Sequence, residues 1–237
     1  MAFAALVLVS CNANEFLNRN ALTTMDDASY WTTEGNVRLF VNGAYGSYFC
    51  GYSDNWGSVY APACYSYEMS DDRTTTGVQA NILISIPSDN WYRAENGYRG
   101  YWLQRRGAGP WNFAYIRKWN LLMERLATMK EEGRLTDEQY NHWNGVARFF
   151  RGWEYSRFVQ SFGDVPYYDH LVATDDVDDM YKDRDPRSVV MDACLEDFEY
   201  ALANVRTNDG TDYVNKFVVG TIASRCMLFE GDRKSVV

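Results

Sequence analysis

The sequence predicts a mainly all-α fold of tetratricopeptide-like helical hairpins, with a long irregular insertion after the first helix. Three observations predict it. Residues 136–168, TDEQYNHWNGVARFFRGWEYSRFVQSFGDVPYY, read as one long helix with marked ends. Residues 34–49 place Val37, Phe40, Val41, Ala44, Tyr45, Tyr48 and Phe49 at the threes and fours of an amphipathic helix. Two further stretches, 111–132 and 186–205, are each followed by a short turn and another helical run, as in helical hairpins.

The long helix is the best defined. Thr136 and Gln139 have capping-box spacing, each side chain satisfying a free amide at the helix start. Gly163 stands where a helix favours a left-handed residue, and Pro166 forces Val165 out of helical space. Trp143, Val146, Phe150 and Trp153 form one apolar stripe, with Phe149, Phe158 and Phe162 beside it. A helix apolar on more than one face is packed on several sides, which makes this a central helix. Its charges are mainly Arg148, Arg151, Glu154 and Arg157. Gly152 in its interior is expected to weaken it by about 1 kcal/mol relative to Ala.

In chain order, residues 1–10, MAFAALVLVS, are apolar and lead into Cys11. Leu8-Val9-Ser10-Cys11 matches a bacterial lipobox, in which Cys11 becomes the lipidated N-terminus after the signal peptide is removed. The run is shorter than the roughly 20 apolar residues that span a bilayer. It lacks a preceding Lys or Arg, which points to a start upstream. The other reading is a buried N-terminal strand with a chance cysteine. A lipoprotein anchor relies on several acyl chains, since one binds only marginally. Residues 11–30 are polar and irregular, a tether. After the helix at 34–49, residues 51–109 are broken by Gly, Pro and Asp-Asn punctuation, with no long periodic run. A second helix is expected from about Trp111 to Glu132, turning at Gly133 into the long helix. Asp185 is expected to cap the next helix, with Pro186 in its first turn and Val190, Cys194, Phe198, Ala201 and Val205 buried. After Asn208-Asp209-Gly210 a last helix is expected over about Asn215 to Glu230. The folded domain is thus read as 31–231, with 232–237, DRKSVV, a truncated or non-native tail.

The net charge of −9 argues against nucleic acid, which needs clustered Lys and Arg. The 8 Trp and 18 Tyr combine apolar bodies with polar tips, which suits half-exposed surfaces for amphipathic ligands, although most are expected in the core. Cys50 and Cys64 are compatible with a disulfide in an exported protein. Cys194 and Cys226 lie on apolar helix faces as buried thiols. No CxxC or Cys/His spacing suggests a metal site, and no cofactor is expected.

Catalytic signals are weak. His142 and His170 are the only histidines, and there is no GxSxG elbow or phosphate loop. Gly107-Ala-Gly109 reads as a short turn. The acidic run Asp175, Asp176, Asp178, Asp179 lacks the Gly and distal Glu of an EF-hand and reads first as a solvated loop, with calcium the other reading. Asp71, Asp72 and Glu95 could supply a glycosidase pair only across a cleft that sequence does not reveal. The better candidates are for binding. Trp91, Tyr92, Arg93, Asn96 and Trp102, with Asp71, Asp72 and Arg73, offer aromatic planes for the C–H face of a sugar and polar groups for its hydroxyls, on what reads as a loop. The competing reading has Trp91 and Trp102 anchoring that loop to the helices.

Several segments resemble one family. Ala147-Arg148-Phe149-Phe150-Arg151 and Phe162-Gly163-Asp164-Val165-Pro166 are similar to the signature of the SusD/RagB family. So are YWTTEGNVRLFVNGAYGSY, Tyr115-Ile116-Arg117 with Asn120, and Ser224-Arg225 with Leu228-Phe229-Glu230-Gly231. Val146 stands where the family often has Glu, and Gly152 where it has Ala. The tetratricopeptide-like arrangement comes from this resemblance, since the 34-residue consensus is absent. The resemblance implies a lipid-anchored outer-membrane protein of Bacteroidetes-type bacteria, facing the cell exterior. It would bind oligosaccharide or polysaccharide for uptake, without catalysis, and sit as a lid on a SusC-like TonB-dependent porin. It also implies that this chain is the N-terminal portion of a longer protein, whose other half would leave apolar helix surface exposed here. No family ligand residue transfers to a number in this sequence. The alternatives are a helical-repeat scaffold for another protein and a surface glycosidase.

Overall fold

In the computed structural model, which describes residues 27–49 and 111–235, the marks at the ends of the long helix act as the sequence predicts. The Gln139 amide donates to Thr136 Oγ1 at 3.2 Å, and the Thr136 amide donates to Gln139 Oε1 at 2.9 Å. The helix ends at Gly163, whose φ of 73° is one that favours glycine.

Among the described residues the chain forms seven helices: α1 (Asp27–Tyr30), α2 (Glu34–Tyr48), α3 (Ala114–Glu131), α4 (Asp137–Phe162), α5 (Val177–Met180), α6 (Arg187–Asn204) and α7 (Lys216–Ser235). No strand occurs among them, only an isolated antiparallel bridge between Val165 and Asp185. α3 turns back into α4 as one hairpin, and α6 turns back into α7 as the other. α4 packs against α3, α6 and α7, which is why its apolar residues surround it. Trp143, Val146, Ala147, Phe149, Phe150, Tyr155, Phe158 and Val159 are all buried. α2 closes the same core with Val37, Val41, Ala44 and Tyr48, and the Tyr48 ring lies 4.6 Å from Phe150. The fold is all-α, and no described helix is long and apolar enough to cross a membrane.

Three boundaries differ from expectation, each for a local reason. α3 begins at Ala114 rather than Trp111, because Asn112 Oδ1 takes the Ala114 amide and turns the chain first. Asp185 does not cap α6. Its carboxylate accepts the Tyr167 amide at 2.7 Å, while Asp164 Oδ1 accepts the Arg187 amide at 2.8 Å and Pro186 is the N-cap residue. α7 continues past Glu230 to Ser235, and its start is held by Asn215 Oδ1, which accepts the amides of Phe217 and Val218.

Charged residues are drawn into the core where partners satisfy them. Tyr48 donates to Glu154 Oε2 and accepts from Trp119 Nε1, both at 2.9 Å, linking α2, α3 and α4. At the other end of α4, Glu34 accepts from Gln139, Trp143 and Arg206, and Arg206 also reaches Glu138 and Asp209. Burial pushes the Glu34 carboxyl up, but these three donors prevail and hold it below its ordinary value. Cys194 and Cys226 are buried free thiols, and burial pushes both upward. Val189, Leu195, Phe217, Leu228 and Phe229 remain exposed on α6 and α7.

Candidate functional site

The residues that sequence assigns to binding, Asp71, Asp72, Arg73, Trp91, Tyr92, Arg93, Asn96 and Trp102, lie outside the described residues, as do Cys11, Cys50 and Cys64. The structure does describe the two roots of their segment. Phe49, at the end of α2, packs on Trp153 with ring centroids 5.5 Å apart. Trp111, before α3, packs on Phe162 at 4.9 Å and lies parallel to Phe158 at 6.2 Å. Trp153 and Phe158 stand five positions apart on α4, a rise of about 7.5 Å. Phe49 and Trp111, the described residues on either side of 50–110, therefore pack over the same half of one helix.

Beside the second root lies a groove of about 600 Å³, within the usual size range of ligand pockets. One wall is the start of α3, with Trp111, Asn112, Phe113, Ile116, Arg117 and Asn120. The other is the stretch after α4, with Pro166, Tyr168, His170, Val172, Thr174, Met180, Tyr181 and Lys182. Its surface is mostly apolar, with amide, hydroxyl and cationic groups among the lining side chains. Two aromatic side chains stay open to solvent at the mouth, Tyr181 at 82% and Trp111 at 41% exposure. Arg184 caps the Trp111 ring at 5.0 Å, and Lys182 lies 5.2 Å from the Tyr168 ring centre.

A buried network holds the floor. Arg151 Nε and Nη2 donate to both oxygens of Asp197 at 2.8 and 2.7 Å, and Nη1 donates to Asn120 Oδ1 and to the Asp169 carbonyl. Burial works against this charge, but the Asp197 carboxylate outweighs it and holds the guanidinium above its ordinary value. Asn120 Nδ2 donates onward to the carbonyls of Tyr168 and His170, and the Tyr168 amide donates to Tyr155 Oη at 2.6 Å. Segment 168–170 is thereby tied to α3 and α4. Arg117 donates to the Val172 carbonyl at 2.7 Å.

The two histidines are far apart in role. His142 is buried beside Trp143 near the start of α4, whereas His170 lines the groove, between Asp169 and Asp179. The acidic run divides its work: Asp176 caps α5 by accepting the Asp179 amide, and Asp179 meets His170. Among the described residues no three His, Cys, Asp or Glu side chains group so as to hold a metal. The groove itself escaped sequence reasoning. Its walls come from two segments some 50 residues apart, and the only local signal was the aromatic content around Trp111 and Tyr167-Tyr168.

No family model matches this chain, and no curated protein matches it. Solved structures do. A SusD-like protein from Bacteroides fragilis is 19% identical, with a TM-score of 0.50 over 90% of this chain and 38% of its own. A SusD superfamily protein from Bacteroides thetaiotaomicron is 16% identical, with a TM-score of 0.55 over 85% of this chain and 45% of its own. Another from Bacteroides vulgatus is 13% identical, with a TM-score of 0.54 over 86% and 41%. The likeness is one of fold: this chain has the helical scaffold of SusD-like structures and spans about two fifths of their length.

Proposed function

We propose that this chain captures oligosaccharide at the outer surface of the cell as the binding component of a glycan-uptake system. The observation that carries the proposal is the groove. It is mostly apolar, bears the exposed Tyr181 and Trp111, is lined also by Asn112, Thr174 and Lys182, and adjoins Trp111, next to the segment bearing Trp91, Tyr92 and Trp102. A pyranose presents C–H faces to apolar and aromatic surface and hydroxyls to amides and cations at the edge, and this mixture of groups suits it. The SusD-like scaffold supports the same reading.

The role is capture and delivery. Attachment to the outer membrane through lipid on Cys11 and transfer to a SusC-like TonB-dependent porin complete the proposal. Asp71, Asp72, Arg73, Arg93 and Asn96 join Trp91, Tyr92 and Trp102 as the hydroxyl-reading and stacking groups of residues 50–110. A glycan microarray run beside a reducing-sugar assay tests this. Binding to a restricted set of oligosaccharides without release of reducing ends is expected, and steady product release or an empty array would contradict it.

A further inference from the structure

We propose that His170 is the pin of a proton-dependent clasp that holds the outer wall of the groove, an inference about regulation that rests on the groove being the capture site. The imidazole is bracketed. Nδ1 lies 2.7 Å from Asp169 Oδ1 and Nε2 lies 2.9 Å from Asp179 Oδ2. An ionised carboxylate only accepts hydrogen bonds, so both ring nitrogens must donate, and only the imidazolium carries two N–H groups. The arrangement therefore selects the charged ring.

What the clasp joins makes it a device for the groove. The backbone at His170 is anchored, since Asn120 Nδ2 donates to its carbonyl at 2.7 Å and Arg151 donates to the neighbouring Asp169 carbonyl. Asp179 belongs to α5, the short helix that carries Met180 and leads into Tyr181, farther along the same wall. Other ties to that wall include a 3.4 Å hydrogen bond from Tyr168 Oη to the Met180 carbonyl, the Lys182 ammonium donating to the Tyr167 carbonyl at 2.6 Å and Arg117 donating to the Val172 carbonyl at 2.7 Å.

The charged groups around the ring agree with a switch. Asp169 comes from its own segment and Asp179 from α5, where Asp176 is engaged as the cap. From α3, Arg117 is directed at the Val172 carbonyl; from α4, Arg151 is satisfied by Asp197 and the Asp169 carbonyl; and Lys182 pairs with Asp185. The Asp169 hydrogen bond, chiefly, raises the His170 pKa above its ordinary value, opposed by slight desolvation and helped by Asp179. A raised pKa means that the charged clasp is complete below about pH 6.5 and is lost as pH rises through the folded value. A neutral ring has one donor for two carboxylates. Asp169 is adjacent in sequence, whereas holding Asp179 also orders the loop between them, so the Asp179 contact is released and the wall loosens. His170 is exposed and Asp179 partly buried, so the tie is modest and the change is local to residues 171–181.

The test needs no sugar. In the 237-residue chain, the His170 ring is titrated by NMR, with His142→Gln assigning the second imidazole signal. Hydrogen exchange of residues 171–181, corrected for intrinsic rate, is compared at about pH 6 and about pH 8.5. The proposal expects His170 to titrate above about 6.5 and the protection of 171–181 to fall several-fold at the higher pH. In Asp179→Asn the titration should move back toward the ordinary value and protection should lose its pH dependence. A His170 titrating at or below about 6.5, or equal wild-type protection at both pH values, would overturn the clasp. An empty glycan array beside a titration as expected would defeat the capture reading and leave the clasp standing.

Discussion

At the scale of single residues, His142 makes a clear claim on pH. It is fully buried, the Arg206 amide donates to its Nδ1 at 3.2 Å, and Nε2 stands 3.5 Å from Asp209 Oδ2. An amide donating to Nδ1 requires a lone pair there, so the ring is neutral with its proton on Nε2. Burial, aided by the Arg206 charge, depresses its pKa to about 4. The unfolded chain takes up this proton near pH 6.5, so it binds more protons than the folded one between there and about 4. Stability from this residue is complete above about pH 6.5 and declines as pH falls, by about 3 kcal/mol in all. Urea unfolding at pH 7 and pH 5 should show a loss that His142→Gln largely removes; an equal loss in that variant would contradict the assignment. None of this was legible locally, because the amide that fixes the tautomer belongs to a residue 64 positions away. Arg151 teaches the same lesson. It reads in sequence as a surviving charge on a helix, yet it is buried against Asp197, and removing one partner of such a pair costs about 3–5 kcal/mol.

At the scale of elements, the crossing of α4 and α6 depends on two glycines seven positions apart. A Cβ on Gly145 would lie 2.9 Å from Val205 Cγ2, and one on Gly152 would lie 3.2 Å from Phe198 Cε1 and 3.3 Å from the Cys194 carbonyl. Helix propensity alone makes Gly152 look like a defect of about 1 kcal/mol. In the fold, the missing side chain is what lets α6 approach. Gly145→Ala gains that propensity but must displace a stiff β-branched neighbour, and overpacking costs about 1–3 kcal/mol. The expected result is a lower melting temperature by circular dichroism; an unchanged or higher one would show that the helices have room to separate. The ends of the long helix were readable because their signals are local: Thr136 with Gln139, and Gly163. The start of α6 was misread because its cap, Asp164, arrives from 23 residues away, across the turn that also brings Asp185 to Tyr167.

At the scale of the whole molecule, the all-α class and its hairpin order followed from periodicity and punctuation, because α4 is apolar on more than one face and must be packed on several sides. The groove did not follow, since it exists only where the start of α3 meets the stretch after α4. The aromatic residues of 50–110 were legible as chemistry without position, and the structure adds where their segment is rooted: over Trp153 at one end and over Phe158 and Phe162 at the other. Phe217, Leu228 and Phe229 on α7 are exposed. The central claim is that groove and segment together hold a sugar chain. Calorimetric titration of an array-selected oligosaccharide into the wild type, Tyr181→Ala and Trp102→Ala tests it most directly. The account predicts that each substitution weakens binding by about tenfold, or 1.4 kcal/mol, with unchanged far-ultraviolet circular dichroism. Wild-type affinity in both variants would contradict it.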